Sequence, residues 1–186
     1  ETAPFKGILL AGSFFRVSAA ILDHQVPCLG FSLEEDYHIN IDKEKLSRLK
    51  LQVGPWLGDL KRAIRENRTQ DVFSIEGRTF PFSDLKDIAA ITRGQKISYV
   101  VDVLGNAENK RKIIDLVKGS DTLYIETFFS DEDRDRARDR YHLTATEAGK
   151  IAREAEVGHM EAIHFSPRYI ENPEILLLEA EREFKK

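Results

Sequence analysis

Five side chains in this sequence have the types needed for shared chemistry, although they lie far apart along the chain: His24, Asp102, Glu126, His142 and His164. Imidazoles and carboxylates without thiols suit zinc or manganese in a hydrolytic site. A carboxylate such as Asp102 can bridge two ions with its two oxygens, which a neutral ligand does less well. The same residue types also serve as general acids and bases. Each has a structural role open to it as well: Asp102 as a helix cap, Glu126 as an ion-pair partner, His24 as a turn residue, and His164 as a histidine satisfied within the core. Their common feature is position, since four of them end an apolar stretch with strand character.

Those stretches define the elements that must hold them. "AAILDH" ends in Asp23-His24, "ISYVVD" in Asp102, "TLYIE" in Glu126 and "MEAIH" in His164, while His142 stands just ahead of a helix start. The alternation of "FFRVSAAILD" predicts a strand over Phe14 to Leu22, with "CLGFSLEE" as its partner and a turn near "DHQVP". Further on, "KISYVVD", "DTLYIETFF" and "MEAIHF" read as strands. "NAENKRKIIDLVKG", ending at Gly119, and "TATEAGKIAREAEVG" read as helices between them. Thr144 and Glu147 have the spacing of a capping box. "SDEDRDRARDRY" predicts a solvated helix with nearly balanced charges, and "NPEILLLEAEREFKK" a terminal helix with Pro173 near its start. Strands alternating with helices imply an α/β layered fold, and polar groups at successive strand ends imply one rim carrying a metal or acid–base site.

Length and composition narrow the class. The chain has 186 residues, enough for one domain with a sizeable core, and its 41% hydrophobic and 32% charged residues are ordinary for a soluble protein. No apolar run approaches the roughly eighteen residues that span a bilayer, and no signal peptide is recognisable. A membrane partner is therefore not expected. The single Cys28 excludes an intrachain disulfide and a Cys-rich zinc site, so a cytoplasmic setting is expected. Glu1 at the start and Met160 as the sole methionine suggest a processed chain or a piece of a longer one.

The net charge of −4 gives no global attraction to nucleic acid, but the charge is uneven. Between Lys43 and Arg68, eight basic residues face only Glu44, Asp59 and Glu66. Such a segment could meet a phosphate backbone, and it could equally be a solvated helix face. It lies in residues 36–86, where the pattern loosens into short helical pieces (Asp42 to Leu49, Gly58 to Glu66) around the turn signal Gly54-Pro55, and then into the strand, turn and loop of "DVFSIEGRTFPFSDLK". This stretch is read as an inserted arm outside the core.

Taken together, "AAILDHQVPCLGFSLEE", "ISYVVD", "YIETFF", "HLTATEAGKIAREA" and "HFSPRY" occur in the order seen in ribonuclease Z. This is the tRNA 3′-end processing endonuclease branch of the metallo-β-lactamase superfamily. "GPWLGDLK" is similar to the Gly-Pro element of that family's tRNA-binding arm. The resemblance runs from about Phe14 to Tyr169. It implies the second half of an αββα sandwich, a mixed sheet with flanking helices forming a single domain over residues 1–186, with the basic arm at 36–86 inserted. It further implies that His24, Asp102 and His164 ligate metal, with Asp102 bridging two zinc ions, manganese being possible. His142 would donate a proton to the leaving 3′-oxygen and Glu126 would orient it. Gly54, Pro55, Lys61, Arg62, Arg65 and Arg68 would contact precursor tRNA, whose 3′ trailer is removed.

The departures carry expectations of their own. The family's His-x-His-x-Asp-His motif is absent and should lie upstream, in a first half of the fold that would be this chain's partner. The loop usually written His-Glu-Ala-Thr reads Ile125-Glu126-Thr127-Phe128, the usual Gly-Asp-Thr reads Val101-Asp102-Val103, and "HLT" stands for His-Ser-Thr. The isolated chain is accordingly expected to be inactive. It is also expected to expose an apolar sheet face and to self-associate, as a homodimer for example. Two alternatives stay open: a hydrolase of a small phosphodiester or other ester on the same fold, and a non-catalytic binding subunit that has lost its metal centre.

Overall fold

The computed structural model describes residue 5 and residues 7–186. In chain order the first elements are β1 (Ile8–Ala11), β2 (Phe15–His24), β3 (Val26–Glu35), β4 (Tyr37–Ile41), α1 (Lys43–Arg48) and α2 (Trp56–Arg65). Then come β5 (Val72–Ile75), β6 (Arg78–Pro81), α3 (Phe82–Leu85), β7 (Ala89–Arg93), β8 (Lys96–Val100) and α4 (Ala107–Val117). The last are β9 (Thr122–Glu126), α5 (Arg134–Asp139), α6 (Ala145–Glu154), β10 (His159–Ile163) and α7 (Glu174–Phe184). The chain divides into two compact units, one running to Asp36 and resuming as Gln95–Lys186, the other spanning Tyr37–Gly94.

The larger unit is built on a mixed sheet of order β1-β2-β3-β8-β9-β10. β1, β2, β3 and β8 are antiparallel neighbours, and β8, β9 and β10 are parallel. The parallel strands need helical crossovers, which α4 and α6 supply. Side chains alternate across the sheet, so Leu22, Val100, Leu123 and Ile125 are buried with Ile113, Val117, Leu143 and Ile151 in one core cluster. Each such aliphatic stabilises by about 1.5–3 kcal/mol through the apolar area it removes from water. Gly30 keeps β3 within reach of α4, since a Cβ there would press on Leu22, Leu116 and Val100. Helix ends follow local chemistry: Asn106 caps α4 by accepting from Asn109 N–H, and Thr144 and Glu147 form the capping box of α6.

The alternate positions of the same strands form the opposite face. There Ile21 pairs with Leu29, Phe31 with Tyr99, Leu33 with Ile97, and Tyr99 with Tyr124, and all of them are exposed. Within this unit no described helix or strand covers this apolar row.

The second unit, Tyr37–Gly94, has its own core. β4 pairs antiparallel with β7, β5 with β6, and Leu46, Leu60, Phe73, Ile75, Leu85 and Ile88 are buried in one cluster. Of the insertion expected at 36–86, Asp36 belongs to the larger unit and the rest to a unit that starts at Tyr37, runs on to Gly94 and includes β7.

Elsewhere the structure alters particular elements. β2 runs two residues past Leu22 and takes in His24, and the turn is made at Gln25, whose φ of 62° reverses the chain in one step. β1, β4 and β7 have no alternation long enough to announce them in sequence. The charged helix expected at "SDEDRDRARDRY" is a 3-10 turn (Asp131–Asp133) followed by the short α5.

Candidate metal and acid–base centre

Strand direction decides which residues can meet. β2 is antiparallel to β3, and β3 to β8, so β2 points the same way as β8, β9 and β10. The C-terminal ends of all four strands therefore share one rim. His24 ends β2 and Glu126 ends β9; Asp102 follows β8 closely and His164 comes directly after β10. His142 enters from the loop ahead of α6, near the N-cap Thr144. All five residues come together. Ligand-capable atoms of Asp102, Glu126, His142 and His164 lie within 4.8 Å of one another. His24 joins them with Nε2 3.7 Å from Asp102 Oδ1 and its ring 4.7 Å from that of His142.

Glu126 is the hub. Its carboxylate is fully buried and accepts hydrogen bonds from Asp102 N–H at 2.8 Å, Val103 N–H at 3.4 Å and Leu143 N–H at 2.7 Å. It also accepts from His142 Nδ1 at 3.0 Å and His164 Nδ1 at 3.2 Å. Burial works to raise its pKa, but the hydrogen bonds from His142 and His164, the His142 charge and Leu143 N–H together outweigh it, and the carboxyl sits below its ordinary value. With its lone pairs committed to these donors, Glu126 orients its neighbours and is poorly placed to ligate a cation.

That commitment fixes the imidazoles. An ionised carboxylate only accepts, so Nδ1 of His142 and of His164 carries a proton, and in the neutral ring Nε2 keeps its lone pair. His24 is set in the same way, its Nδ1 donating to the Tyr141 carbonyl at 2.6 Å. Nδ1 anchored to an acceptor with Nε2 free is the arrangement that aims histidines at a metal. Asp102 stands between His24 and His164, its Oδ1 3.7 Å from one ring and 3.8 Å from the other, with its side chain 45% exposed. His164 is raised above its ordinary pKa, chiefly by its hydrogen bond to Glu126; burial opposes this, and the charges of Glu126 and Asp102 add to it.

Residues without a sequence signal complete the centre. Phe128 stacks on His142 with ring centroids 3.7 Å apart and planes 3° from parallel, and meets His164 edge-on at 4.9 Å. Its place in the loop after Glu126 was readable, its contact was not. The Cys28 thiol donates to the Asp102 carbonyl at 2.6 Å from the neighbouring strand. A larger groove of about 850 Å³ along α7, lined by Asp131, Glu132 and Glu179 among others, contains none of the five residues.

The basic residues read as an arm belong to the second unit. Gly54 precedes α2, Pro55 is its N-cap, and Lys61, Arg62 and Arg65 are on it, with Arg68 just beyond. Arg62 is 3.7 Å from Asp59, and Arg68 pairs with Glu66 at 2.8 Å and Asp71 at 3.1 Å, so these two cations are shared with carboxylates of their own unit.

No family model matches the chain. Among solved structures, the metallo-β-lactamase fold protein YhfI from Bacillus subtilis aligns with a TM-score of 0.55 at 16% identity, over 97% of this chain and 48% of its own. Human tRNase Z, short form, aligns with a TM-score of 0.50 at 20% identity, over 87% of this chain and 40% of its own. With the mixed sheet and its flanking helices, these define the class: the chain has the metallo-β-lactamase fold over about half the length of those proteins. Within that class it is a partial-length relative of ribonuclease Z. Proteins of that name from Deinococcus radiodurans and Treponema denticola are 32% and 31% identical to it over 169 and 178 residues, which are 90% and 95% of this chain. The one from Nanoarchaeum equitans is 34% identical over 146 residues. The chain spans 49%, 54% and 42% of these three relatives, about half their length.

Proposed function

We propose that this chain forms the part of a metal-dependent phosphodiester hydrolase that holds Asp102, His164 and His24 toward the cations and His142 toward the leaving group. Its substrate is precursor tRNA, cut endonucleolytically to remove the 3′ trailer. The observation that carries this reading is the convergence of four strand ends on one rim, with Nδ1 of three histidines tied back and their Nε2 atoms left free. The donor set fits zinc or manganese: His24, His164 and the bridging carboxylate of Asp102, with no thiolate. Divalent ions held there would offset charge developing on the phosphate and make a water acidic enough to attack it. With Nδ1–H held by Glu126, His142 in its doubly protonated form would present Nε2–H to the leaving oxygen, and Glu126 keeps its ring oriented.

These three ligands are few for two ions, so further ligands come from sequence outside this chain. The exposed row of Ile21, Leu29, Phe31, Leu33, Ile97, Tyr99 and Tyr124 is the face that segment covers, and without it the chain pairs through this face with a second copy. In the second unit, Lys61, Arg62, Arg65 and Arg68 follow the Gly54-Pro55 turn and contact the tRNA backbone.

Titration of the chain with Zn²⁺ tests the centre. Asp102→Ala and His164→Ala are expected to weaken binding by about 10–100-fold, with Lys61→Gln as an unaffected control. Equal affinity in all three overturns the assignment. For the substrate, the salt dependence of precursor tRNA binding is expected to flatten when Lys61, Arg62, Arg65 and Arg68 are replaced by Gln. An unchanged slope rejects tRNA as the ligand of this unit.

A further inference from the structure

Helix α5 reads as a solvated, charge-balanced surface, and Arg134 behaves so, paired with Asp131 at 2.6 Å. Arg136 on the same helix and Arg140, its C-cap, do not. Among the described residues neither side chain makes an ion pair or hydrogen bond, although the Asp133 charge reaches Arg136, and both line a groove of about 630 Å³ beside His142. Arg168 lines it too, with Phe128 and Ser166, and no carboxylate is among the lining residues. Three guanidinium groups sharing one concavity repel one another, and the single Asp133 charge beside Arg168 and Arg136 offsets only part of this, so the groove favours an anion.

Arg168 is aimed from outside the groove. Its Nε lies 3.0 Å from Asp133 Oδ2, and the same oxygen accepts from Tyr169 Oη at 2.6 Å. Tyr169 Oη in turn accepts from Ser130 N–H at 3.2 Å. Asp133 therefore ties the turn that follows His164 to the segment that follows Glu126. With Nε committed, the two Nη groups of Arg168 have no partner among the described residues. That edge of a guanidinium binds phosphate oxygens in bidentate fashion.

We propose that this groove is a phosphate-binding subsite in which Arg136, Arg140 and Arg168 hold the anion and Asp133 is the positioning residue that aims Arg168. The natural occupant is a backbone phosphate of a polynucleotide, neighbouring the bond presented to His142; in naming that occupant the proposal rests on the hydrolase reading above. The subsite itself rests on the arginines and can be tested apart from catalysis.

The chain is titrated with inorganic phosphate and, in a second arm, with a short single-stranded oligoribonucleotide, following arginine Nε–H signals by NMR. Phosphate is expected to move the signals of Arg136, Arg140 and Arg168. Arg136→Gln combined with Arg140→Gln should weaken its binding by about tenfold. Asp133→Asn is the sharper test. It removes a negative charge beside Arg168, so charge alone would tighten phosphate binding, whereas lost aim weakens it, here by about threefold or more. Backbone amide signals of the sheet, unchanged between variants, show that the fold is intact. Tighter or equal binding in Asp133→Asn overturns the positioning role, and undiminished binding in the double arginine variant overturns the subsite. Oligoribonucleotide binding that leaves all three arginine signals in place also overturns the subsite while sparing the hydrolase reading. Phosphate binding in the groove without oligoribonucleotide binding supports the subsite and counts against a polynucleotide substrate.

Discussion

Replacing Glu126 by Gln asks whether one buried carboxylate organises the rim. Gln has the same size, so no cavity forms, but it exchanges one acceptor for a donor. Oε2 faces three donors, Asp102 N–H and the Nδ1 groups of His142 and His164, and Oε1 faces two, Leu143 N–H and Val103 N–H. If the amide oxygen takes the Oε2 position, its NH₂ confronts both Leu143 N–H, which now makes a 2.7 Å bond, and Val103 N–H at 3.4 Å. If it takes the Oε1 position, Asp102 N–H is stranded and both imidazoles must move their protons to Nε2 to accept from the amide. Either arrangement leaves at least one buried backbone donor unpaired, a loss of about 1–3 kcal/mol.

For a chain of this size each kcal/mol lowers the melting temperature by about 2–4 °C, so Glu126→Gln is expected to melt roughly 2–12 °C lower. Long-range ¹H–¹⁵N spectra of the imidazoles report the second consequence. Wild type should show Nδ1–H forms for His24, His142 and His164, and any shift of proton to Nε2 in the variant should be confined to His142 and His164. A variant that melts within about 1 °C of wild type, with all three tautomers unchanged, refutes the hub.

Three further outcomes follow from the same contacts. The Glu126 carboxyl lies below its ordinary 4.5, so its stabilisation is present above that value and is lost as pH falls through the lowered one. His164 is raised above 6.5, so its share is complete below that value and is lost as pH rises through the raised one; thermal melts of the metal-free chain should peak between the two, and stability still climbing well above 6.5 would contradict the pairing. The Cys28 thiol is pushed up from 9.0 to about 11 by burial, and further by the charges of Asp102, Glu126 and Asp23. Near neutral pH it should react with iodoacetamide about a hundredfold more slowly than an exposed cysteine, recovering in urea, and a rate within about threefold of the exposed one counts against that environment. Finally, a Cβ at Gly149 would run into the Ala180 carbonyl and the Glu183 side chain, so Gly149→Ala should cost about 1–3 kcal/mol in denaturant melts by prying α7 from α6; an unchanged midpoint would mean the helices are less closely packed than described.

The rim was legible because each apolar strand segment ended in a titratable residue, and because strands β2, β8, β9 and β10 turn out to share a direction. The capping box at Thr144 and Glu147 was legible for a local reason, since its chemistry lies within one helical turn. His24 was harder to place. As a turn residue it would have left the sheet, but a positive φ at Gln25 lets β2 run to His24 and sets it on the rim. The role of Glu126 could not be read from spacing, because its donors come from the loops after β8, before α6 and after β10. Nor could the stack of Phe128 on His142, or the difference between Arg134 and its neighbours Arg136 and Arg140 along and just past α5. The short strands β1, β4 and β7 were missed because four or five residues carry too little alternation to separate a strand from a loop.

Two of the three residues proposed to meet the cations are held in left-handed backbone, and Gln25, next to the third, shares that conformation. Asp102 has φ 56° and His164 has φ 55°, the left-handed region that costs a non-glycine residue about 1–3 kcal/mol. Both sit just past the ends of parallel strands, where an extended continuation would carry their side chains along the strand and away from the neighbouring strand end. At Asp102 both backbone groups are held, the N–H by Glu126 and the carbonyl by the Cys28 thiol. At His164 the ring itself is tied to Glu126. The strain is therefore offset by contacts to protein groups already in place, and the largest share falls on a carboxylate whose acceptor capacity is taken up by the chain. Aim and ligation are in this way divided between different residues. Glu126 sets the directions of His142, His164 and Asp102, and Asp102 and His164 turn their unoccupied atoms outward, so the geometry of the rim is formed by the chain's own contacts before any cation arrives.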